Sequence, residues 1–133
     1  MATIQLSADV TRSPNDVWKR VQAIDWPKHL TNMIHDVEVT GPDTRVCHMQ
    51  DGGKLFEKVV STDHETRRQV YSVQESPFGL EHHNASMQVF VADGGRSRVV
   101  WTTDVLPDAF AEQMKPMLEG EFQTIVARLS HGA

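Results

Sequence analysis

The sequence has a single cysteine and no long hydrophobic run. With only Cys47 present, an internal disulfide and a thiolate-rich zinc site are excluded. No stretch reaches the roughly 20 consecutive apolar residues that a membrane-spanning helix needs. The first residues also lack the basic region and apolar run of a secretory signal. We therefore expect a cytoplasmic protein without a membrane span.

Basic residues are also fewer than acidic ones. The chain has 13 lysines and arginines against 18 aspartates and glutamates, which gives a net charge of −5. A footprint on a phosphate backbone is not expected at this balance, so nucleic acid is not a predicted partner. Glycine-rich nucleotide loops, Gly-x-Ser-x-Gly and His-Glu-x-x-His are absent as motifs, which disfavours nucleotide binding, serine hydrolysis and zinc proteolysis. We expect no cofactor.

What remains is the composition of one ordinary globular domain. The 133 residues are 39% apolar and 23% charged, which is typical of a chain that buries a single core. No internal repeat, low-complexity stretch or long linker divides the sequence. We therefore predict one domain over residues 1–133.

The first thirty residues predict one strand and two short helices. Residues 4–10 alternate apolar and polar side chains, which is the period of a half-buried strand. Ser13 can then cap a helix that has Pro14 in its first turn and Asp16 near its positive end. A second short helix is predicted over residues 26–30.

The rest of the chain predicts a meander of strands followed by one long helix. Residues 34–105 contain six strand-like segments separated by turn signals, of which the strongest is the hairpin marker at residues 93–95. The short connections predict antiparallel pairing. After Pro107, apolar residues recur every three or four positions, as on a helix. Pro116 interrupts this helix, so we expect a kink or a helix restart near Lys115.

This order of elements resembles the helix-grip superfamily. The resemblance rests on the element order and on specific residues: Val17, Trp18, Trp26, Pro27, Glu57, Tyr71, Ser72, Val73 and the turn at 93–95. The superfamily contains START lipid-transfer domains, relatives of the birch-pollen allergen and bacterial polyketide cyclase/dehydrase-like proteins. The resemblance implies an α+β fold in which a seven-stranded curved antiparallel sheet wraps around a long C-terminal helix, with two short helices after the first strand.

A helix gripped by a sheet leaves internal space, and strand alternation predicts which side chains face it. The predicted inward series are Leu55, Glu57, Val59 and Ser61; Tyr71 and Val73; His83, Ala85, Met87, Val89 and Val91; and Val99, Trp101, Thr103 and Val105. His82 and His83 are adjacent and therefore point to opposite faces, so a shared metal ion is not expected. Cys47 is interpreted as a small core residue rather than a nucleophile.

Glu57, Tyr71 and His83 are the candidate catalytic residues. The resemblance implies that Glu57 and Tyr71 point inward, where they and His83 could act as general acid and base. The alternative is that they are hydrogen-bonded polar groups that fix the strand register. Because an unpaired buried carboxylate is costly, we expect Tyr71 and His83 to be the partners of Glu57. A Glu57→Leu change is then expected to leave the fold intact.

Apolar and thioether side chains form the candidate ligand-binding set. Its members are Trp26, Met33, Leu55, Val73, Met87, Val89, Trp101, Met114, Met117 and Phe122. Phe78 and Leu80 form the mouth of the cavity or cover the edge of the core. The inward series on the strands contains no arginine or lysine, which favours a neutral or weakly acidic ligand.

Two functions stay open at this stage. The protein binds a small apolar molecule of aromatic, polyketide-like or isoprenoid-like character and catalyses its cyclisation or dehydration, or it is a non-catalytic carrier or sensor of such a ligand. Related aromatases resemble one another in an inward arginine on the strand that corresponds to residues 55–61. This strand offers only Lys58, which is predicted to face outward. The expected assembly is a monomer or homodimer.

Overall fold

The computed structural model describes residues 1–131 as seven strands and three α-helices. The strands are β1 (Ala2–Val10), β2 (Ile34–Val39), β3 (Thr44–Met49), β4 (Lys54–Asp63), β5 (Arg68–Glu75), β6 (His82–Val91) and β7 (Ser97–Leu106). The helices are α1 (Pro14–Val21), α2 (Trp26–Leu30) and α3 (Ala109–Ser130), and one 3-10 turn spans Asp93–Gly95.

All seven strands form one antiparallel sheet in the order β1-β7-β6-β5-β4-β3-β2. The predicted meander is therefore confirmed, and β1 closes it by pairing with β7. The helix α3 packs against β1 and β7 on one face, while α1 packs against β6 and β7. This is the predicted α+β helix-grip fold.

The two short helices begin where the sequence predicts. The hydroxyl of Ser13 accepts a hydrogen bond from the Asp16 N–H at 3.2 Å, and Pro14 occupies the first turn. Val17, Trp18 and Val21 share the buried face of α1, as the spacing of three and four residues requires. The helix α2 covers the predicted residues and presents Trp26, Pro27 and Leu30 to the interior.

The long helix α3 differs from expectation at its proline. Its buried positions follow the helical period: Met114, Leu118, Phe122, Ile125 and Leu129. The helix runs through Pro116 without a restart, so of the two outcomes predicted near Lys115 the restart is wrong and the kink stays a prediction. Pro116 and Glu112 are both exposed, so the carbonyl that loses its hydrogen bond lies on the solvent side, where water can satisfy it. Within residues 1–131, none of the helices combines the length and apolar character needed to cross a bilayer.

Arg128 connects α3 to the end of α2 and the segment after it. Its Nη1 donates to the carbonyls of His29 and Thr31 at 3.2 and 2.9 Å, and its Nη2 donates to Asn32 Oδ1 at 2.6 Å. The Asn32 N–H in turn donates to Glu121 on α3 at 2.9 Å. The loop between α2 and β2 is thereby fastened to the second half of the helix.

The buried apolar residues form two clusters. The larger joins α1, α2, α3 and strands β1, β5, β6 and β7, whereas the smaller joins β2, β3 and β4. The smaller cluster consists of Ile34, Val37, Cys47, Met49 and Leu55, with Met33, Val73 and Phe78 packed against it. The candidate site lies where the two clusters meet.

Candidate functional site

A cavity of about 80 Å³ lies between the two clusters. Its apolar lining comes from both of them: Trp26, Pro27, Met33, Ile34, Leu55, Val73, Phe78, Leu80, Trp101, Met114, Met117 and Leu118. Its polar lining residues are Thr31, Cys47, Glu57, Tyr71, His83 and Thr103. The sheet and α3 therefore enclose a mostly apolar space with a few polar groups, which is the usual character of a small-molecule site.

The structure brings together most of the residues singled out in the sequence. Glu57, Tyr71 and His83 all line the cavity, as do Trp26, Met33, Leu55, Val73, Trp101, Met114 and Met117. Phe78 and Leu80 line it from the loop between β5 and β6.

Three of the predicted lining residues lie elsewhere. Met87, Val89 and Phe122 are packed in the larger cluster, and the two strand residues are at most 1% exposed. Strand alternation identifies the inward face over most of each strand, but the predicted inward residues Ser61 and Val91 are exposed near the ends of β4 and β6. Alternation also gives no information on where along the strand the cavity ends. The part of β6 that carries Met87 and Val89 lies past the cavity, where packed core fills the same face.

Glu57 is held by an arginine that the sequence interpretation missed. Arg45 lies directly opposite Glu57 in the β3–β4 register, and its Nε donates to Glu57 Oε1 at 2.8 Å. The two side chains are 0% and 6% exposed. The expectation that Tyr71 and His83 are the partners of Glu57 is therefore wrong. The predicted inward series did not include β3, the strand that carries Arg45. Arg45 shares the strand parity of Cys47, which is the signal that could have placed it inside.

Arg45 lies behind the aromatic wall of the cavity rather than in its lining. Its guanidinium carbon is 4.9 Å from the ring centre of Tyr71 and 5.7 Å from that of Trp26, within range of cation–π attraction. Its Nη1 donates to the Ile24 carbonyl at 2.8 Å. Gln69 accepts from Trp26 Nε1 at 2.9 Å beside it. Within residues 1–131, the buried Nη2 of Arg45 has no hydrogen-bond partner.

The ion pair reverses the expectation for Glu57→Leu. Replacing Glu57 alone would leave the Arg45 charge buried without its partner, and breaking a buried pair in this way costs about 3–5 kcal/mol. The register of β4 also shifts between Phe56 and Glu57 and again between Val59 and Ser61. Such bulges redirect side chains and bend strands, so Glu57 is positioned by both the backbone and its partner.

Only one oxygen of Glu57 is used by the protein. Oε1 accepts from Arg45 and lies 3.6 Å from the Cys47 Sγ, whereas Oε2 makes no hydrogen bond within residues 1–131. Burial raises the pKa of the Cys47 thiol, and the negative charge of Glu57 raises it further. Cys47 therefore stays protonated, which agrees with its interpretation as a core residue rather than a nucleophile.

Tyr71 is a protonated phenol with its oxygen already engaged. Its hydroxyl oxygen accepts a hydrogen bond from Trp101 Nε1 at 2.9 Å. Burial raises the pKa of Tyr71, and the charge of Glu57 raises it further. The O–H keeps its proton at neutral pH, and it has no acceptor within the described part of the chain. Tyr71 can therefore donate to a molecule in the cavity.

His83 has its tautomer set by the backbone. Its Nδ1 accepts a hydrogen bond from the Val73 N–H at 3.0 Å, so the proton of the neutral ring resides on Nε2. Burial lowers the pKa of His83 to about 4, and neighbouring His82 contributes to the lowering. The ring is therefore neutral near pH 7 and offers Nε2–H as a donor. This geometry does not suit the predicted use of His83 as a base, because Nδ1 is occupied.

Within residues 1–131, no three histidine, cysteine, aspartate or glutamate side chains are grouped as a metal site requires.

Comparison with solved structures shows the same fold in proteins of low sequence identity. XoxI from Bacillus cereus superposes with a TM-score of 0.86 at 20% identity, covering 98% of this chain and 94% of that one. Truncated norcoclaurine synthase from Thalictrum flavum gives 0.77 at 16% identity, covering 97% and 91%. A START superfamily protein from Mycobacterium smegmatis gives 0.74 at 12% identity, covering 96% and 98%.

Sequence comparison is informative at the level of the family. No curated protein matches the sequence. The model of the family described as polyketide cyclase / dehydrase and lipid transport, in contrast, matches residues 1–131. Together with the fold and the apolar cavity, this match places the chain in the polyketide cyclase/dehydrase and lipid transport family.

Proposed function

We propose that the protein binds a small, neutral, mostly apolar molecule in the cavity between the sheet and α3. The observation that carries this proposal is the composition of the lining: apolar and aromatic side chains enclose the space, and Glu57, Tyr71 and His83 supply polar atoms to it. Burial of a ring against such a lining contributes roughly 25 cal/mol per Å² of apolar surface. Membership of a family named for both cyclisation and lipid transport supports ligand binding.

The volume favours a small ligand. The cavity measures about 80 Å³, whereas sites for drug-sized molecules measure about 300–1,000 Å³. A single aromatic ring suits this space best. A larger polyketide-like or isoprenoid-like molecule would have to displace the half-buried side chains of Met33 and Met117, which are flexible enough to repack.

The charge arrangement favours a neutral ligand. Arg45 is the basic residue nearest to the cavity wall, and its charge is already matched by Glu57 at 2.8 Å. It also lies behind the rings of Tyr71 and Trp26. An anionic group in the cavity would therefore find no unmatched positive charge among the lining residues.

Acid–base catalysis on the bound molecule is the second candidate function. Two features favour it. The free Oε2 of Glu57 can accept a proton from the ligand. In the same cavity, Tyr71 and His83 can donate hydrogen bonds to a negative charge that develops on the ligand. A non-catalytic carrier needs only the cavity. The two are separated by Glu57→Gln, since an enzyme would lose turnover and keep ligand binding, while a carrier would have no turnover to lose.

Binding itself is tested by native mass spectrometry of the purified protein and by fluorescence titration. Planar apolar probes are expected to change the emission of Trp26 and Trp101, while nucleotides and sugar phosphates leave it unchanged. Trp18 lies outside the cavity lining and donates to His64 at 3.1 Å, so a Trp18→Phe variant removes background emission without altering the site. Binding of a nucleotide with no response to apolar probes would contradict the proposal. A cytoplasmic location and a monomeric or homodimeric state stay predictions.

A further inference from the structure

Three of the polar lining residues, Glu57, Tyr71 and His83, have hydrogen-bonding roles toward the cavity that their other contacts restrict. The Tyr71 oxygen is taken by Trp101 Nε1–H at 2.9 Å, which leaves the Tyr71 O–H to donate. His83 Nδ1 is taken by the Val73 N–H at 3.0 Å, which leaves Nε2–H to donate. The rings of Tyr71 and His83 lie 5.9 Å apart between centres, so the two donors serve the same region.

Glu57 has the opposite role. A carboxylate can only accept hydrogen bonds, and Arg45 and Cys47 both use Oε1. Oε2 is thus an acceptor without a partner within residues 1–131. The Thr31 hydroxyl cannot donate to a ligand, since it donates to the Pro27 carbonyl at 2.6 Å, and its oxygen accepts from the Ile34 N–H at 3.4 Å.

We infer that the cavity recognises a single-ring compound that carries both a carbonyl and a hydroxyl group. The carbonyl oxygen accepts from Tyr71 O–H and His83 Nε2–H, and the hydroxyl donates to Glu57 Oε2. This inference rests on the proposed function and adds the polarity of the ligand to it. A ring without the carbonyl gives the Tyr71 and His83 donors no partner from the ligand, and a ring without the hydroxyl gives Glu57 Oε2 none. Either omission is unfavourable in an apolar site.

Four matched probes separate these contributions. They are hydroxyacetophenone in its three positional isomers, acetophenone, ethylphenol in the same isomers, and ethylbenzene. Dissociation constants are measured by calorimetry or by chemical-shift titration of the full chain. Because one hydrogen bond contributes about 1 kcal/mol and 1.4 kcal/mol corresponds to tenfold, the hydroxyl is expected to tighten binding by about fivefold and the carbonyl, which accepts two hydrogen bonds, by about 25-fold. The best hydroxyacetophenone isomer should bind most tightly, and ethylbenzene least.

The outcomes distinguish the inference from the proposed function. If ethylbenzene and the other three probes all fail to bind, the proposed function fails for single-ring ligands. If all four bind with similar constants, the cavity binds apolar rings but the polarity inference is overturned. Tighter binding of acetophenone and ethylphenol than of ethylbenzene supports both.

Two variants assign the groups. Tyr71→Phe removes one donor, so the advantage of acetophenone over ethylbenzene is expected to fall about fivefold while the advantage of ethylphenol is retained. In Glu57→Gln the amide oxygen can bind Arg45 and the amide N–H then faces the cavity, so the ethylphenol advantage is expected to disappear instead. Each advantage is the ratio of two dissociation constants measured on the same variant, so a general loss of stability cancels. Circular dichroism confirms that each variant is folded. An equal change of both ratios in both variants would overturn the assignment.

Discussion

The two ends of the interior differ in how fully they are packed. We call the first the closed end; its residues are Val10, Val17, Val21, Ile125 and Leu129, which are 0–1% exposed. We call the second the cavity end; its buried lining includes Leu55, Trp101, Met114 and Leu118, which are 6–9% exposed. The same helix, α3, serves both ends, with its second half in the closed end and its first half along the cavity.

The difference indicates which part of the molecule carries stability. At the closed end, Arg20 on α1 donates to the Arg128 and His131 carbonyls at 2.7 and 3.0 Å, and Thr11 donates to the Ser130 carbonyl at 3.3 Å. These bonds hold the last turn of α3 against α1 and β1. Dense packing there allows the cavity end to keep unfilled volume and a buried ion pair, which are unfavourable features in a core.

The largest expected effect on the free energy of unfolding comes from the Arg45–Glu57 ion pair at the cavity end. Arg45→Met leaves the Glu57 carboxylate buried without its partner and should lower the free energy of unfolding by about 3–5 kcal/mol. Glu57→Leu should act similarly through Arg45. The double variant removes both charges and should return to within about 1 kcal/mol of the parent protein. Urea denaturation gives the free energy of unfolding of the parent protein, the two single variants and the double variant. Additive losses in the double variant would show that the two side chains do not act as a pair.

Truncation of apolar side chains tests the packing difference directly. Ile125→Ala at the closed end should cost about 3–4 kcal/mol, since deleting a fully buried aliphatic side chain typically costs about 2–5 kcal/mol. Met117→Ala at the cavity end should cost about 1 kcal/mol or less, because Met117 is only half-buried beside an existing cavity. Ligand affinity should change more in Met117→Ala, which alters the cavity lining, than in Ile125→Ala. Equal losses of stability at the two positions would contradict the comparison.

Acid should weaken the cavity end through His83. The pKa of His83 is about 4 in the folded protein because burial lowers it, against about 6.5 in an unfolded chain. The unfolded state therefore binds more protons between these values, and stability falls as the pH decreases from about 6.5 to about 4, by about 3 kcal/mol at most. Unfolding is measured across this range. The exposed His35 provides the control: His35→Gln should leave the slope unchanged, whereas His83→Gln should reduce it.

The smallest expected effect lies at the junction of the two halves of α3. Gly120 is exposed, and a Cβ added there would meet no atom within 4 Å. Gly120→Ala should therefore raise the free energy of unfolding by about 0.5–1 kcal/mol through helix propensity and leave the affinity for apolar probes unchanged. Thermal unfolding and probe titration test the two parts. A loss of stability would mean that this junction requires the freedom of glycine.

The architecture was largely predictable from local patterns. The alternation in residues 4–10, the turn at 93–95 and the apolar repeat after Pro107 each depend on neighbouring residues, and each gave the correct element. Placement of Glu57, Tyr71 and His83 on one inward surface followed from strand parity together with the family resemblance. The helix restart at Pro116, one of the two predicted alternatives, does not occur, because the effect of a proline depends on which side of the helix meets water.

The detailed chemistry of the site was not predictable, because it depends on contacts between distant residues. Arg45 pairs with Glu57 on the neighbouring strand. Its parity with Cys47 indicates an inward position, but the ion pair itself depends on the register between the two strands. The donor role of His83 depends on a backbone N–H ten residues earlier in the chain, that of Val73. The extent of the cavity depends on where core packing resumes along each strand, and Met87 lies in the packed core rather than in the cavity lining.

The Arg128 linkage has a consequence for the kinetics of binding. One rim of the cavity, formed by the end of α2 and the loop that carries Thr31 and Met33, is fastened to α3 by three hydrogen bonds of Arg128. At another part of the lining, Phe78 meets Phe110 at the start of α3 through a ring contact with centres 6.0 Å apart. An apolar contact of this kind separates without breaking hydrogen bonds. We therefore expect the association and dissociation rates of a ligand to depend on how often these two rings part.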